Sequence, residues 1–405
     1  MFADFASSQK SLQSAAASWA TSSGAEAQER NKICRSSVAE RIGRHISMAM
    51  HALCQGGLGF KSGQEVFLGP KARGLTPIGD GQLKRHGLSR LGFHRFPRLS
   101  SYPRTAIVGQ ITSDSQGLGI VITGGSSGLG FALARKFLEA KDRVVICGRD
   151  ETRLNRAIHV LQEEFQGTDV GGLVCDVSRP TDVETFASFA SERLGIIDRW
   201  LNNAGEVTSK KLLADVDTDE IIRVSGTNVI GSLLCCREAI RVMRGQPLAA
   251  EPRYHIFNMG FSQWGAKFTK SACTHKATKI ALTQLTESLS EELKASGISS
   301  VGVHNLSPGL VLTDLLLKDS TPVARRFFNT LAEEPDTAAT ILAPKIRAVE
   351  GSKQRIEALS PASAVLKVLT GFPQIISGGR FFDKDGNRVV VAGKQYKDNG
   401  VEVLF

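Results

Sequence analysis

The sequence predicts an α/β fold: a doubly wound parallel sheet with helices on both faces, forming a single core domain behind a disordered N-terminal leader. Two observations predict the core. Short apolar runs alternate with segments of helical length from residue 119 onward. The first run, Ile120-Val121-Ile122, meets a glycine-rich turn, Thr123-Gly124-Gly125-Ser126-Ser127-Gly128-Leu129-Gly130, and then the amphipathic stretch Phe131–Leu138. A third observation predicts the leader, because residues before Gly117 differ in composition from everything after them.

The elements follow in order. Arg143–Cys147 reads as a second strand, ending at Gly148-Arg149. A helix is expected from about Arg153 to Glu164, a third strand at Leu173–Val177 and a helix from Thr181 to Leu194. Trp200-Leu201-Asn202 forms a fourth strand running into Asn203-Ala204-Gly205. One long helix is expected from Asp219 to Arg244, with Asn228 near its middle. The strand His255–Met259, a helix over Thr274–Ala295 and the strand Val301–Leu306 complete the alternation, which implies parallel strands joined by helical crossovers. The expected organisation is a leader and linker over 1–115, the core domain over 116–385 and a C-terminal tail over 386–405.

The chain has 405 residues and a net charge of +10. Residues 1–118 hold 15 Lys and Arg against 7 Asp and Glu, so +8 of that charge lies there and only +2 beyond. The basicity belongs to the leader, which argues against a nucleic-acid surface on the core. Ser- and Ala-rich, poor in acids and without a compact apolar segment, the leader suits an organellar transit peptide; a cytosolic tail with no address is the alternative. No run of 18 apolar residues exists. The seven cysteines (Cys34, Cys54, Cys147, Cys175, Cys235, Cys236 and Cys273) form no CxxC pair, so reduced thiols are expected, with no metal site.

Glycines in the 123–130 turn let backbone approach a ligand, and N–H groups at the following helix start face an anion, as in dinucleotide-binding Rossmann-type folds. A tight turn without ligand is the plainer alternative. At the end of the second strand, Gly148 and then a guanidinium replace the carboxylate that selects NAD, so Arg149 suits the extra phosphate of NADP. Its plainer alternative is a solvated residue at a helix start.

The spacing TGxxxGxG, the NNAG turn and the pattern Asn228, Ser262, Lys279 together resemble the short-chain dehydrogenases/reductases, over about Gly117 to Phe382. The resemblance implies a cofactor site of Thr123, Gly124, Ser126, Ser127, Gly128, Leu129, Gly130, Arg149, Asp176, Val177, Asn203, Ala204, Gly205, Lys279, Pro308, Gly309 and Thr313, holding NADPH, with NADH as the alternative. It also implies a catalytic set: Ser262 holding the substrate oxygen, Asn228 ordering a water and Lys279 gripping the ribose. Where the family has a tyrosine acid, this chain has His275, and its three tyrosines, Tyr102, Tyr254 and Tyr396, lie elsewhere. His275 shares a helix face with Lys279, four positions on. It is a replacement acid, the mark of a weakened member that still binds nucleotide, or a packed core histidine.

Within the family the chain resembles the plastid chlorophyll(ide) b reductases, through Cys235–Ala239, His304–Gly309, Thr313–Leu316 and Phe327–Glu333 among others. That branch reduces the 7-formyl group of chlorophyll b to hydroxymethyl. The resemblance implies a chlorophyll-type pigment as the small-molecule substrate, no nucleic acid partner, a plastid address and an association with the thylakoid. A carbonyl reductase of another apolar substrate is the rival. Leu310–Leu317 with Phe327-Phe328 is either a lid or core. Phe372–Ile376 with Lys367 and Arg380 is either a peripheral membrane contact or a packed helix. Long helices of the family pair into oligomers, which implies a homo-oligomer or a hetero-oligomer with a paralogue.

Overall fold

The computed structural model describes residues 117–262 and 271–403. The leader, Cys34, Cys54 and Tyr102 therefore lie outside the described residues, as does the segment following Ser262.

The chain runs β1 (Gly119–Thr123), α1 (Gly128–Glu139), β2 (Arg143–Gly148), α2 (Glu151–Glu164), β3 (Val170–Val174), α3 (Pro180–Leu194) and β4 (Arg199–Asn202). It continues through α4 (Thr218–Ser225), a π-helical turn (Gly226–Ile230), α5 (Gly231–Met243), β5 (Tyr254–Met259), α6 (Cys273–Ala295) and β6 (Val301–Ser307). The last part is β7 (Leu310–Val311), α7 (Asp314–Leu317), α8 (Pro322–Leu331), β8 (Ala332–Glu333), α9 (Pro335–Arg347), β9 (Arg355–Glu357) and α10 (Pro361–Ser377).

Seven strands form one parallel sheet in the order β3-β2-β1-β4-β5-β6-β9. The chain leaves β1 toward β2 and β3, then returns to the other side of β1 as β4. The carboxyl end of β1 is therefore where strand order reverses, the place at which open α/β sheets bind ligands.

Burial on both faces follows from the period of two along each strand. Ile120 and Ile122 point into one cluster with Phe131, Phe137, Leu342 and Ile346. Val121 points into the other with Phe186, Trp200, Cys235 and Met243. A large apolar side chain contributes about 1.5–3 kcal/mol when fully buried, so these layers carry most of the favourable free energy.

Two expected elements differ in the structure. The third strand is β3, Val170–Val174, rather than 173–177; Cys175–Val177 lies beyond its end, on the carboxyl edge. The expected 219–244 helix runs without interruption from Thr218 to Met243, but a π turn at Gly226–Ile230 separates α4 from α5, with Asn228 inside it. That turn accommodates one extra residue, and Asn228 within it is fully buried.

Leu312, Leu317 and Phe328 join a third cluster with Phe381, Phe382 and Val401, so these three side chains are core rather than a free lid. Residues beyond 385 pack back onto the body through Val401 and through Arg388, which lies over the Phe382 and Tyr396 rings. The segment 372–376 is helical, within α10, whose Leu366, Leu369 and Ile376 are exposed.

Candidate active site

The glycine turn shows close approach at two positions. Gly124 has φ +65°, and a Cβ there would stand 2.9 Å from the Ala204 Cα. At Gly130 a Cβ would meet the Gly124 carbonyl oxygen at 2.3 Å, so the helix is seated directly on the turn. Asn203 Nδ2 donates to the carbonyls of Thr123 and Gly124, at 3.0 and 3.1 Å, and Ala204 N–H donates to Thr123 Oγ1 at 3.0 Å. The 123–130 and 203–205 turns are thus one unit. Ser127 precedes α1 without capping it through its side chain, which leaves the first-turn N–H groups of Gly128, Leu129 and Gly130 suited to an anion.

On the far side of the crevice, α6 carries His275 and Lys279. A buried polar network sets its position: Asn202 Nδ2 donates to Asn258 Oδ1 at 2.9 Å, and Asn258 Nδ2 donates to Thr286 Oγ1 at 3.1 Å. This links β4, β5 and α6. Lys279 is buried, and its Nζ donates to the Met259 carbonyl at 2.9 Å. Burial lowers its pKa to about 8. A Cβ on Gly205 would lie 3.4 Å from both Lys279 Nζ and Asn228 Oδ1, so the 203–205 turn passes close beside both groups.

Ser262 is placed by β6, its N–H donating to Ser307 Oγ at 3.1 Å. Its neighbour Phe261 stands edge-on to the His275 ring, with centroids 5.6 Å apart. Burial, and then the Lys279 ammonium, lower the His275 pKa to about 4, against a smaller opposing effect of the Glu206 backbone. His275 Nδ1 is buried without a hydrogen-bond partner among the described residues. Thus Ser262, His275 and Lys279 gather at the carboxyl edge, with Asn228 behind them.

Asn228 does more than its expected role required. Its Oδ1 accepts from Glu206 N–H at 2.8 Å, while Nδ2 donates to the Glu206 carbonyl at 2.9 Å and to Thr278 Oγ1 at 3.0 Å. The remaining expected residues flank the crevice. Pro308-Gly309 leads from β6 toward Thr313, and the Thr313 methyl would lie 3.1 Å from a Cβ on Gly128. Val177 is buried, and Asp176 Oδ1 accepts from Ser178 N–H and Oγ, at 3.0 and 2.7 Å. Ser126 Oγ lies 2.6 Å from where a Cβ on Gly148 would stand. Arg149 forms an ion pair with Glu206.

Glu206 is the residue that sequence reading missed. The only signal was a carboxylate placed directly after a turn of small residues, Ala204-Gly205.

A switch-point crevice, an uncapped helix start and a Ser/His/Lys group whose lysine is buried define a dinucleotide-type α/β oxidoreductase architecture. The chain belongs to the short chain dehydrogenase family, whose model matches residues 119–322. It is 42% identical over 235 residues to chlorophyll(ide) b reductase NOL, chloroplastic, of Arabidopsis thaliana, covering 58% of this chain and 66% of that protein. It is 41% identical over 232 residues to the protein of the same name from Oryza sativa subsp. japonica, covering 57% and 66%. The chain spans about 55–66% of the length of these curated relatives and of a probable chlorophyll(ide) b reductase NYC1, chloroplastic, of Oryza sativa subsp. japonica. Among solved structures, 3-ketoacyl-(acyl-carrier-protein) reductase from Brucella melitensis, complexed with NADH, superposes with a TM-score of 0.50 at 25% identity. That match covers 59% of this chain and 96% of that one.

Proposed function

We propose that the chain is an NADPH-dependent reductase of a chlorophyll b-type formyl group, working in the plastid. The observation that carries it is 42% identity to a chloroplastic chlorophyll(ide) b reductase in a chain whose Ser262, His275 and Lys279 gather beside the glycine turn. The donor set fits a dinucleotide. The N–H groups of Gly128, Leu129 and Gly130 would take its pyrophosphate, Asp176 and Val177 its adenine end, and Lys279 its nicotinamide ribose. Thr123, Gly124, Asn203, Ala204 and Gly205 would form the floor, and Pro308, Gly309 and Thr313 the wall beside the ring. Arg149 with Ser126 would select the phosphate of NADPH over NADH.

Bound, the nucleotide supplies a hydride for the formyl carbon. The residues of this chain handle the oxygen. Ser262 donates a hydrogen bond to it, and His275 delivers the proton that completes the hydroxymethyl group, taking a replacement from solvent. Lys279, held by the Met259 carbonyl, keeps a positive charge near the developing alkoxide below about pH 8.

One observation favours a second reading, a nucleotide-binding member with weakened turnover that partners an active paralogue. With a pKa of about 4, only about one His275 in a thousand carries the imidazolium proton at pH 7. The exposed Leu366, Leu369 and Ile376 of α10 support a peripheral contact with the thylakoid surface, where such pigments reside.

The test is the absorbance of chlorophyll b or chlorophyllide b incubated with the protein and NADPH. Conversion to the hydroxymethyl spectrum is expected. Tight nucleotide binding with an unchanged pigment spectrum would support the weakened member instead.

A further inference from the structure

The Arg149–Glu206 ion pair crosses the sheet rather than following it. Arg149 leaves the carboxyl end of β2, and Glu206 lies four residues beyond the end of β4. Between those strands stands β1, whose carboxyl end opens into the glycine turn. The pair therefore spans two strand spacings, roughly 10 Å, directly over the point where strand order reverses.

The two ends are built differently. Glu206 is fixed. Its backbone N–H and carbonyl are both held by Asn228, its carboxylate also pairs with Arg223 from α4, and its side chain is 9% exposed. Arg149 is the movable end, with its side chain 49% exposed. Beside its root lies the Ser126 hydroxyl, next to Gly148.

We infer that the Arg149–Glu206 pair is a latch over the dinucleotide crevice, which any incoming nucleotide must open and which only a 2′-phosphate compensates. This rests on the nucleotide-binding reading above. When NADPH enters, Arg149 exchanges a carboxylate for a phosphate, with Ser126 as a second donor, and the ion pair is replaced in kind. When NADH enters, Arg149 leaves Glu206 and gains no anion. Glu206 thus sets the cost of opening, which falls on every nucleotide equally, and Arg149 is the specificity residue, because it recovers that cost with NADPH alone.

A latch and a simple phosphate clamp make opposite predictions for one variant. Removing a cation ordinarily weakens binding of an anionic dinucleotide. If Arg149 closes the crevice, removing it instead frees the entry of NADH.

Dissociation constants of NADPH and NADH, measured by calorimetric titration on the full chain, test this. For Arg149→Ala the NADH constant is expected to fall about two- to fivefold, the range of a partly exposed ion pair, while NADPH binding weakens. For Glu206→Gln both constants are expected to fall by a similar factor with the NADPH preference kept. The double variant is expected to bind NADH no tighter than Arg149→Ala does. Melting curves of each variant confirm that the half-exposed Arg149 site still folds. An unchanged or raised NADH constant in a folded Arg149→Ala protein overturns the latch while leaving nucleotide binding intact. Failure of the wild-type protein to bind either nucleotide overturns the nucleotide reading and the latch with it.

Discussion

The Asn228 side chain grips the backbone of Glu206 from both sides, accepting from its N–H at 2.8 Å and donating to its carbonyl at 2.9 Å. A π turn in the middle of what would otherwise be one long helix makes this possible. Asn228 is wholly buried, so the loop leaving β4 is tied to the helix layer at the edge of the crevice. Asn228→Ala leaves the Glu206 N–H without its acceptor and the carbonyl short of a donor. A loss of about 2–3 kcal/mol is expected, from buried groups left unpaired, read as a lower urea midpoint.

Gly124 sits at φ +65° with the Ala204 backbone 2.9 Å from the place a side chain would occupy. Gly124→Ala is expected to cost about 1 kcal/mol for the backbone conformation, and more for displacing 203–205. A thermal melt measures the first effect, and weaker NADPH binding in titration measures the second.

Acid should destabilise the fold through its buried histidines. His255 and His304 face each other across β5 and β6, Nδ1 to Nε2 at 2.9 Å, and Phe257 stacks on His304. Burial, with the Arg199 charge, lowers both pKa values to about 3, and burial lowers His275 to about 4. Unfolded histidine titrates near 6.5, so between 6.5 and these values the unfolded chain binds more protons than the folded one. Stability is therefore complete above about pH 6.5 and declines as pH falls toward 3. Urea midpoints at pH 7.5, 6 and 5 should decrease in that order; a flat series would mean these rings are already charged in the fold.

The same depressed pKa sets a rate signature. If imidazolium is the proton source, reduction should accelerate as pH drops from 8 toward 5, without a plateau before about 4. His275→Tyr should lift the rate at pH 8, because a phenol, with an ordinary pKa of about 10, still carries a proton there although the Lys279 ammonium makes it more acidic. Pigment reduction followed across pH for both proteins checks this.

Much of the cofactor side was legible because glycine spacing reports backbone geometry directly, and Gly124, Gly128 and Gly130 carry that geometry here. The third strand was placed three residues late because Gly171 and Gly172, in its first half, carry no side chain to mark a strand. Its position at the sheet edge made this tolerable. The π turn at 226–230 left no sequence signal, since one extra residue in a helix does not disturb composition. Glu206 stayed hidden because its partners, Arg149, Arg223 and Asn228, lie 17 to 57 positions away and meet only through the crossover connections. The closing elements lacked a motif, and only packing defines them: α9 against α1, β9 beside β6 and α10 against α8.

The most direct test of the central claim is isotopic. Chlorophyllide b is incubated with the protein and NADPH carrying two deuterium atoms at the nicotinamide C4, and the product is weighed by mass spectrometry. Reduction at this site predicts a hydroxymethyl product with one deuterium on the new carbinol carbon. A product without deuterium, or none at all while the nucleotide is bound, contradicts it.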